Sequence, residues 1–514
     1  MDGGAFIARG TAATLLGNLG RLSRPLALAL VTRRFGLPAV GGALLVSACV
    51  DIAACLGGLG LDKGLQRWLP QTAARDQPRV VVGALLAALG ASVVAGVVLW
   101  LAAGRLLPSA PFDITAARLA LALLPAGALV PSIALNAVRG RKQILSFVWG
   151  RSVIAPGAFL LASVTLGLLT RRPEALLAAE AASAAALAAY AAMALHRTFG
   201  LAALRSAISR QAFLVIGPLL RFSLPLGVAD ALGLALQRMD VVALGALGWP
   251  PAILGAYAVA REIVTSLSKI RQGFDQVVAP LAAELAVARR DEELRVAAVL
   301  SLRWSAALAI PLALVMMIFA PWTLTLFGVH APTVTVAFVV LVVGRLVDAS
   351  TGPTSVLLAM VSRPRLVLAN AVFGVATAVL GHMILTPRLG ALGAALSTTA
   401  GLLASNSLCI FLLARVAALR PIDRSLVPLL GLGAGLALAL GATRALSGGE
   451  MAVGGVALVA LSTLGYLGLA RRLGMLPTRQ RHRTPIRVSP PANDNNLLPC
   501  ASRLPHEVNH ASLR

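Results

Sequence analysis

Ionisable side chains occur inside segments of this sequence that are otherwise apolar. Placing an Arg, Lys or Asp side chain at the middle of a bilayer costs about 2.5–3.5 kcal/mol. Three such charges on one helix would cost roughly 8–10 kcal/mol if all of them faced lipid, so a water-filled cavity or close ion pairs must receive them. The residues concerned include Arg21, Arg24, Asp51, Asp230, Arg238, Asp240, Glu262, Lys269, Arg271 and Asp275.

The cations among these residues predict an anion-binding cavity. Arg21 and Arg24 lie on one arc of the first apolar segment, since residues three apart share a helix face. In the first, seventh and eighth segments together, Arg and Lys modestly outnumber the carboxylates. Arg can hold a phosphate or pyrophosphate through two parallel hydrogen bonds, so a basic lumen favours an anionic passenger over a cationic one.

Four of these residues have a simpler interpretation as well. Asp51 could pair with a neighbouring Arg. Arg271 and Asp275 stand four residues apart, so they could form a structural ion pair along one helix. Arg238 could extend outward to the membrane interface instead of lining a cavity.

The composition excludes a soluble globular protein. Of 514 residues, 58% are hydrophobic and only 13% are charged, whereas a soluble domain carries about 25% charged residues. The net charge of +25 does not indicate nucleic-acid binding, because most Arg residues occur in short loops and in the C-terminal tail. The four cysteines have no paired spacing, so we expect neither a disulfide framework nor a metal site.

The apolar segments predict an all-α polytopic membrane protein with about fourteen spans. Lys and Arg concentrate in alternate loops, which places both termini in the cytoplasm. The predicted spans are residues 6–32, 39–62, 80–104, 117–138, 145–169, 174–195, 217–242, 252–280, 297–321, 332–355, 365–386, 390–414, 425–443 and 451–470.

Two pairs of similar sequences indicate an internal repeat. The fourth span ends in PSIAL and the tenth in PTSVL, each followed by a basic loop, and the turns after the first and seventh spans both contain Gly and Pro. We therefore predict two six-helix lobes related by a pseudo-twofold axis along the membrane normal. The predicted divisions are a first lobe (1–198), a cytoplasmic linker (199–210), a second lobe (211–416), two additional helices (417–470) and a disordered cytoplasmic tail (471–514).

Over residues 1–416 the chain resembles a known family. Residues 235–240 (ALQRMD), 255–260 (GAYAVA) and 389–398 (LGALGAALST) are similar to segments of polysaccharide flippases. Residues 58–70 (GLGLDKGLQRWLP) fit the same pattern. These flippases belong to the multidrug/oligosaccharidyl-lipid/polysaccharide exporter superfamily.

The resemblance implies translocation of a polyprenyl-pyrophosphate-linked oligosaccharide across the inner membrane by alternating access, for lipopolysaccharide or exopolysaccharide biosynthesis. It implies no enzyme activity and no cofactor. Its expected partners are membrane lipids, a coupling ion (H⁺ or Na⁺) and polysaccharide polymerases or glycosyltransferases. The pyrophosphate would be held by Arg21, Arg24, Arg238 and Lys269. Coupling or charge pairing would involve Asp51, Asp230, Asp240, Glu262, Arg271 and Asp275.

Two other functions remain open. A multidrug or cation antiporter of the same superfamily is the nearest alternative, although the first span carries Arg where such exporters generally place an acidic residue in the first lobe. A membrane-embedded polymerase or glycosyltransferase is the second, although the predicted loops are short for an enzyme of that kind.

Overall fold

The structure is a computed structural model that describes residues 23–108, 111–141, 143–208, 210–287, 290–352, 354–361, 364–416, 427–446 and 453–472. These residues fall in one compact unit, Met1–Leu476. In the ranges described, the secondary structure is helical and contains no β-strand. The all-α membrane fold predicted from the apolar segments is therefore confirmed.

Helices occupy the described parts of the predicted spans, and several spans contain more than one helix. In chain order they are α1 (Ser23–Phe35), α2 (Leu37–Gly58), α3 (Leu61–Trp68), α4 (Gln77–Leu106), α5 (Ile114–Gly140), α6 (Ile144–Val148), α7 (Ala155–Leu169), α8 (Glu174–Phe199), α9 (Leu201–Ser206), α10 (Arg210–Ala246), α11 (Pro251–Val287), α12 (Asp291–Ile318), α13 (Ala320–Leu326), α14 (Pro332–Ser350), α15 (Thr354–Val361), α16 (Pro364–Leu389), α17 (Ala391–Val416), α18 (Val427–Leu446) and α19 (Val453–Arg472). A π-helical turn, Trp149–Ile154, joins α6 to α7.

Ten helices among the described residues are long and apolar enough to cross a membrane, and α10 becomes an eleventh if its 47° bend after Pro225 is counted within one span. The helix α11 is not among these candidate spans. It carries five charged residues between Arg261 and Asp275. Of the predicted first span, only the part from Ser23 onward lies within the described residues. The predicted tail, residues 471–514, lies outside them except for its first two residues.

The helix α2 is central to the packing, because it contacts α10 and α11 as well as α4 and α5. Near its start, a Cβ atom on Gly41 would lie only 2.5 Å from the Cα atom of Gly255 in α11. Just beyond its end, Gly60 and Gly227 of α10 bring their backbones together so closely that neither has room for a side chain. The two predicted lobes thus touch near both ends of α2, although the division into lobes itself stays a prediction.

A backbone kink directs the chain from α2 into α3. Leu59 and Gly60 both adopt left-handed conformations, with φ angles of 46° and 71°, which end α2 and start α3 in a new direction. As a result, Gly64 of α3 lies against Ser223 of α10. Lys63 belongs to this helix.

The two additional helices, α18 and α19, pack on each other and on α12. Their shared core includes Leu436, Leu440 and Tyr466, which contact Ala307 and Ile310 of α12.

Replacing Gly227 by Val should reduce stability, because the new side chain would overlap the backbone of Gly60. Overpacking of this kind typically costs about 1–3 kcal/mol. Gly233 lies in the same helix, and a Cβ atom there meets nothing within 4 Å, so Gly233→Val is the matched control. Thermal unfolding of both variants in detergent measures the difference; equal midpoints would contradict the close contact between Gly227 and Gly60.

Candidate functional site

A charged cavity of about 420 Å³ lies between α2, α3, α5 and α10. Small residues in the last turns of α2 and just beyond its end leave this space open: Ala54, Gly58 and Gly60 line it. The charged lining residues are Asp51, Asp62, Asp230, Arg151 and Arg238.

Arg238 occupies the wall of this cavity between two carboxylates. Its guanidinium lies 3.0 Å from Asp51 of α2 and 3.5 Å from Glu262 of α11. The side chains of Arg238 and Glu262 are 15% and 11% exposed, whereas Asp51 retains 35% exposure toward the cavity. Asp51 therefore pairs with a neighbouring Arg, and Arg238 faces the protein interior rather than extending outward.

The ion pairs continue from Glu262 into the core of the helix bundle. Arg261 lies 3.4 Å from Glu262 and 3.1 Å from Asp240, and its Nε also donates to the main-chain oxygen of Gln237 at 3.0 Å. Tyr257 donates its hydroxyl to Asp240 at 2.9 Å. Both Asp240 and Tyr257 are fully buried, so this part of the network satisfies its charges internally and is closed to a ligand.

A separate ion pair joins α3 to α10 at the edge of the cavity. Lys63 Nζ lies 2.5 Å from Asp230 Oδ2, close to the contact between Gly60 and Gly227. The two side chains remain 45% and 40% exposed. Because exposed ion pairs contribute little stability, this pair can separate at small cost.

Three of the predicted residues lie away from the charged cavity, further along α11. Arg271 and Asp275 form the predicted pair at 3.0 Å, and Arg271 also lies 3.4 Å from Asp348 of α14. Asn406 of α17 donates to Asp348 at 3.2 Å, so the cluster connects α11, α14 and α17. Lys269 is half-buried in the same helix and does not line the charged cavity.

The predicted cations of the first span cannot be placed in the site. Arg21 lies outside the described residues, and Arg24 lies in α1 with its side chain outside them. Among the lining residues described, three carboxylates accompany two guanidinium groups. The positive balance predicted for the lumen is therefore not present among those residues.

Sequence reasoning missed three charged residues near the site. Arg151 lies early in the fifth apolar segment, and it donates to Ser132 Oγ at 2.8 Å. Asp62 is the last residue of the predicted second span, and the kink at Gly60 places it in α3 instead. Glu180, in the sixth segment, joins Asp51 in lining an adjacent polar cavity of about 130 Å³ with Ser47 and Ser183. The rule that intramembrane charges mark function would have selected Arg151 and Glu180 had it been applied to every segment.

Comparison with known proteins places this geometry in a recognised fold. Residues 225–375 match the model of the MatE family. Over 90% of the chain and 99% of the other protein, the structure is similar to the lipid II flippase MurJ in an inward closed conformation, with a TM-score of 0.65 and 9% identity. A search among curated protein sequences found no significant match.

Transporters of the MOP superfamily are similar as well. An inward-facing multidrug resistance MATE transporter matches with a TM-score of 0.62 and 16% identity, over 79% of this chain and 99% of that one. A MOP superfamily transporter from Pyrococcus furiosus, described as having a binding pocket of reverse polarity, matches with a TM-score of 0.52 and 17% identity, over 80% and 93%. The chain therefore has the fold of the MOP transporters and flippases, as the sequence resemblance predicted.

The variant Arg238→Gln should lose stability, because Asp51 would lose its cation and Glu262 would keep only Arg261. Removing one partner of a fully buried pair costs about 3–5 kcal/mol; with Asp51 35% exposed, we expect roughly 1–3 kcal/mol. Adding Asp51→Asn should restore part of the loss. Chemical unfolding in detergent of the wild type, both single variants and the double variant gives the coupling energy.

The exposed pair of Arg79 and Asp76, also 3.0 Å apart, is the matched control for this cycle. Its coupling energy should stay below about 1 kcal/mol. Equal coupling energies in the two cycles would show that Arg238 and Asp51 do not interact as the structure indicates.

Proposed function

We propose that the protein is a flippase that moves a polyprenyl-pyrophosphate-linked oligosaccharide from the cytoplasmic to the outer face of the inner membrane, for cell-surface polysaccharide biosynthesis. The observation that carries this proposal is Arg238, which two carboxylates hold at the wall of a 420 Å³ cavity. The cavity lies in a fold similar to that of a lipid II flippase over nearly the whole chain.

Arg238 would bind the pyrophosphate by exchanging partners. A phosphate offers the same bidentate geometry as a carboxylate, so the substrate would replace Asp51 at the guanidinium. Arg151, on the same cavity, would provide a second cation. The predicted contributions of Arg21 and Arg24 belong to the same proposal, whereas Lys269 does not line this cavity.

The exchange suggests how substrate binding would couple to an ion. When the pyrophosphate replaces Asp51 at Arg238, Asp51 loses the cation that neutralises it, whereas Glu262 keeps Arg261. An uncompensated charge in this environment is costly, so Asp51 would take up H⁺ or Na⁺. Asp230 would behave in the same way when it separates from Lys63.

During alternating access, the contacts between the lobes would separate at one end of α2 at a time. At the end predicted to be external, the contact between Gly41 and Gly255 would separate. At the other end, the Gly60–Gly227 contact and the Lys63–Asp230 pair would separate. The weak, half-exposed ion pair suits a contact that must break in every cycle.

A multidrug or cation antiporter is the second candidate, because three carboxylates line the charged cavity. A cationic drug would pair with Asp62 or Asp230 without disturbing Arg238. This function would also fit the similarity to a multidrug resistance transporter.

Proteoliposomes that contain the purified chain test the proposal. A polyprenyl-pyrophosphate oligosaccharide should become accessible to an impermeant glycosidase on the opposite face. Arg238→Lys keeps the charge beside Asp51 but loses the bidentate geometry. It should slow translocation about tenfold or more, because a hydrogen bond to a charged group contributes about 1.5–3 kcal/mol. Export of a cationic dye without lipid translocation would instead support the antiporter.

A disulfide between α3 and α10 should stop transport reversibly. A Cβ atom on Gly64 would lie 3.3 Å from Cβ of Ser223, near the separation of about 3.5–4.5 Å found in disulfides. In a chain without native cysteines, oxidation of the Gly64→Cys, Ser223→Cys variant should abolish translocation, and reduction should restore it. The Gly64→Cys single variant controls for the substitution. Full activity of the cross-linked protein would mean that this contact stays closed throughout the cycle.

A further inference from the structure

An apolar groove lies on α2 and α4 on the side away from the charged cavity. Its volume is about 530 Å³. Six residues between Cys49 and Leu59, six between Ala91 and Leu106, and Val242 of α10 line it, and all of them are apolar. The side chains of Val94 and Val98 are 64% and 57% exposed at its surface, so the groove is open where the membrane would be.

The groove and the charged cavity lie on opposite sides of α2, which lines both. Along α2, Asp51 and Cys55 line the cavity, while the adjacent residues Ile52 and Leu56 line the groove. One helix therefore separates a polar compartment from an apolar one. A molecule with a charged head and a hydrocarbon tail has the two surfaces that these compartments match.

Both compartments also have a lining residue near the same turn of α10. Arg238 lines the cavity and Val242 lines the groove. They stand four residues apart, which is about 6 Å along a helix and places both on one face. An anion bound at Arg238 thus lies about one helical turn from the start of the groove.

We propose that the groove binds the polyprenyl chain of the lipid-linked substrate while the pyrophosphate occupies the cavity. This inference rests on the proposed function and assigns the tail to α2, α4 and α10 rather than to α18 and α19, which pack on α12. The groove follows α4 from Ala91 to Leu106, about 22 Å, so it accommodates a chain that crosses most of the roughly 30 Å hydrocarbon core.

The groove guides the tail rather than anchoring it. Bilayer lipid is as apolar as the groove, so no hydrophobic gain accompanies binding, and the attraction comes from close packing alone. A tail packed against α2 follows that helix when the lobes move, which keeps the head group aligned with Arg238. Blocking the groove therefore reduces the rate of translocation.

Paired Trp substitutions on α4 provide the test. Val94→Trp with Val98→Trp fills the groove, whereas Val93→Trp with Val97→Trp places the same side chains at equally exposed positions outside it. In proteoliposomes, the first pair slows translocation of the polyprenyl-pyrophosphate oligosaccharide about tenfold, through loss of packing. The second pair stays within about twofold of the wild type. Equal rates for the two variants, whether both slow or both normal, would overturn the proposal.

Photo-cross-linking separates the substrate's tail from bulk lipid. A polyprenyl pyrophosphate with a photoreactive group on its chain labels the peptide that contains Val94, and unlabelled polyprenyl pyrophosphate displaces it. Displacement by excess phosphatidylglycerol to the same extent would identify the groove as a bulk-lipid site and overturn the inference. If the wild type translocates the substrate and the Val94→Trp, Val98→Trp variant does so at the same rate, the groove is rejected but the proposed function is not. Failure of the wild type to translocate rejects the proposed function as well.

Discussion

Neutralisation of charge between membrane helices is the constraint on which the site depends. An ionised side chain in that environment requires water or an opposite charge. The network from Asp51 through Arg238, Glu262 and Arg261 to Asp240 satisfies this requirement across three helices. It determines which faces of α2, α10 and α11 meet, and it leaves Asp51 and Arg238 at the border of a cavity that water can enter.

The network divides into a fixed part and an exchangeable part. Asp240, Tyr257 and Arg261 are buried and bonded to one another, so they hold α10 to α11 as one body. Asp51 and Lys63 belong to the other predicted lobe and reach across to Arg238 and Asp230. These contacts are partly exposed, and they are the ones that movement between lobes would break. Glycine contacts at both ends of α2 bring the lobes close enough for such pairs to form.

The structure brings together only some of the charged residues that the sequence singled out, for physical reasons. It identified Arg271 with Asp275 because helix periodicity alone brings residues four apart together. It identified Asp51, Arg238 and Glu262 as ionisable residues within apolar segments, but it could not predict that Arg238 forms ion pairs with the two carboxylates. The resemblance grouped Lys269 with Arg238 as a pyrophosphate ligand, yet Lys269 does not line the cavity. Depth along a helix follows from sequence, whereas the neighbour on the next helix does not.

The sequence by itself determined the all-α membrane fold, the positions of its helices and the resemblance to MOP transporters. These properties follow from local composition, because about 20 apolar residues suffice to specify a span. The tertiary structure alone decided which charges pair, how Gly60 and Gly227 close one end of α2, and where polar and apolar cavities lie back to back on that helix. Those features depend on contacts between residues far apart in the chain, such as Asp51 and Arg238, and local sequence carries no record of them.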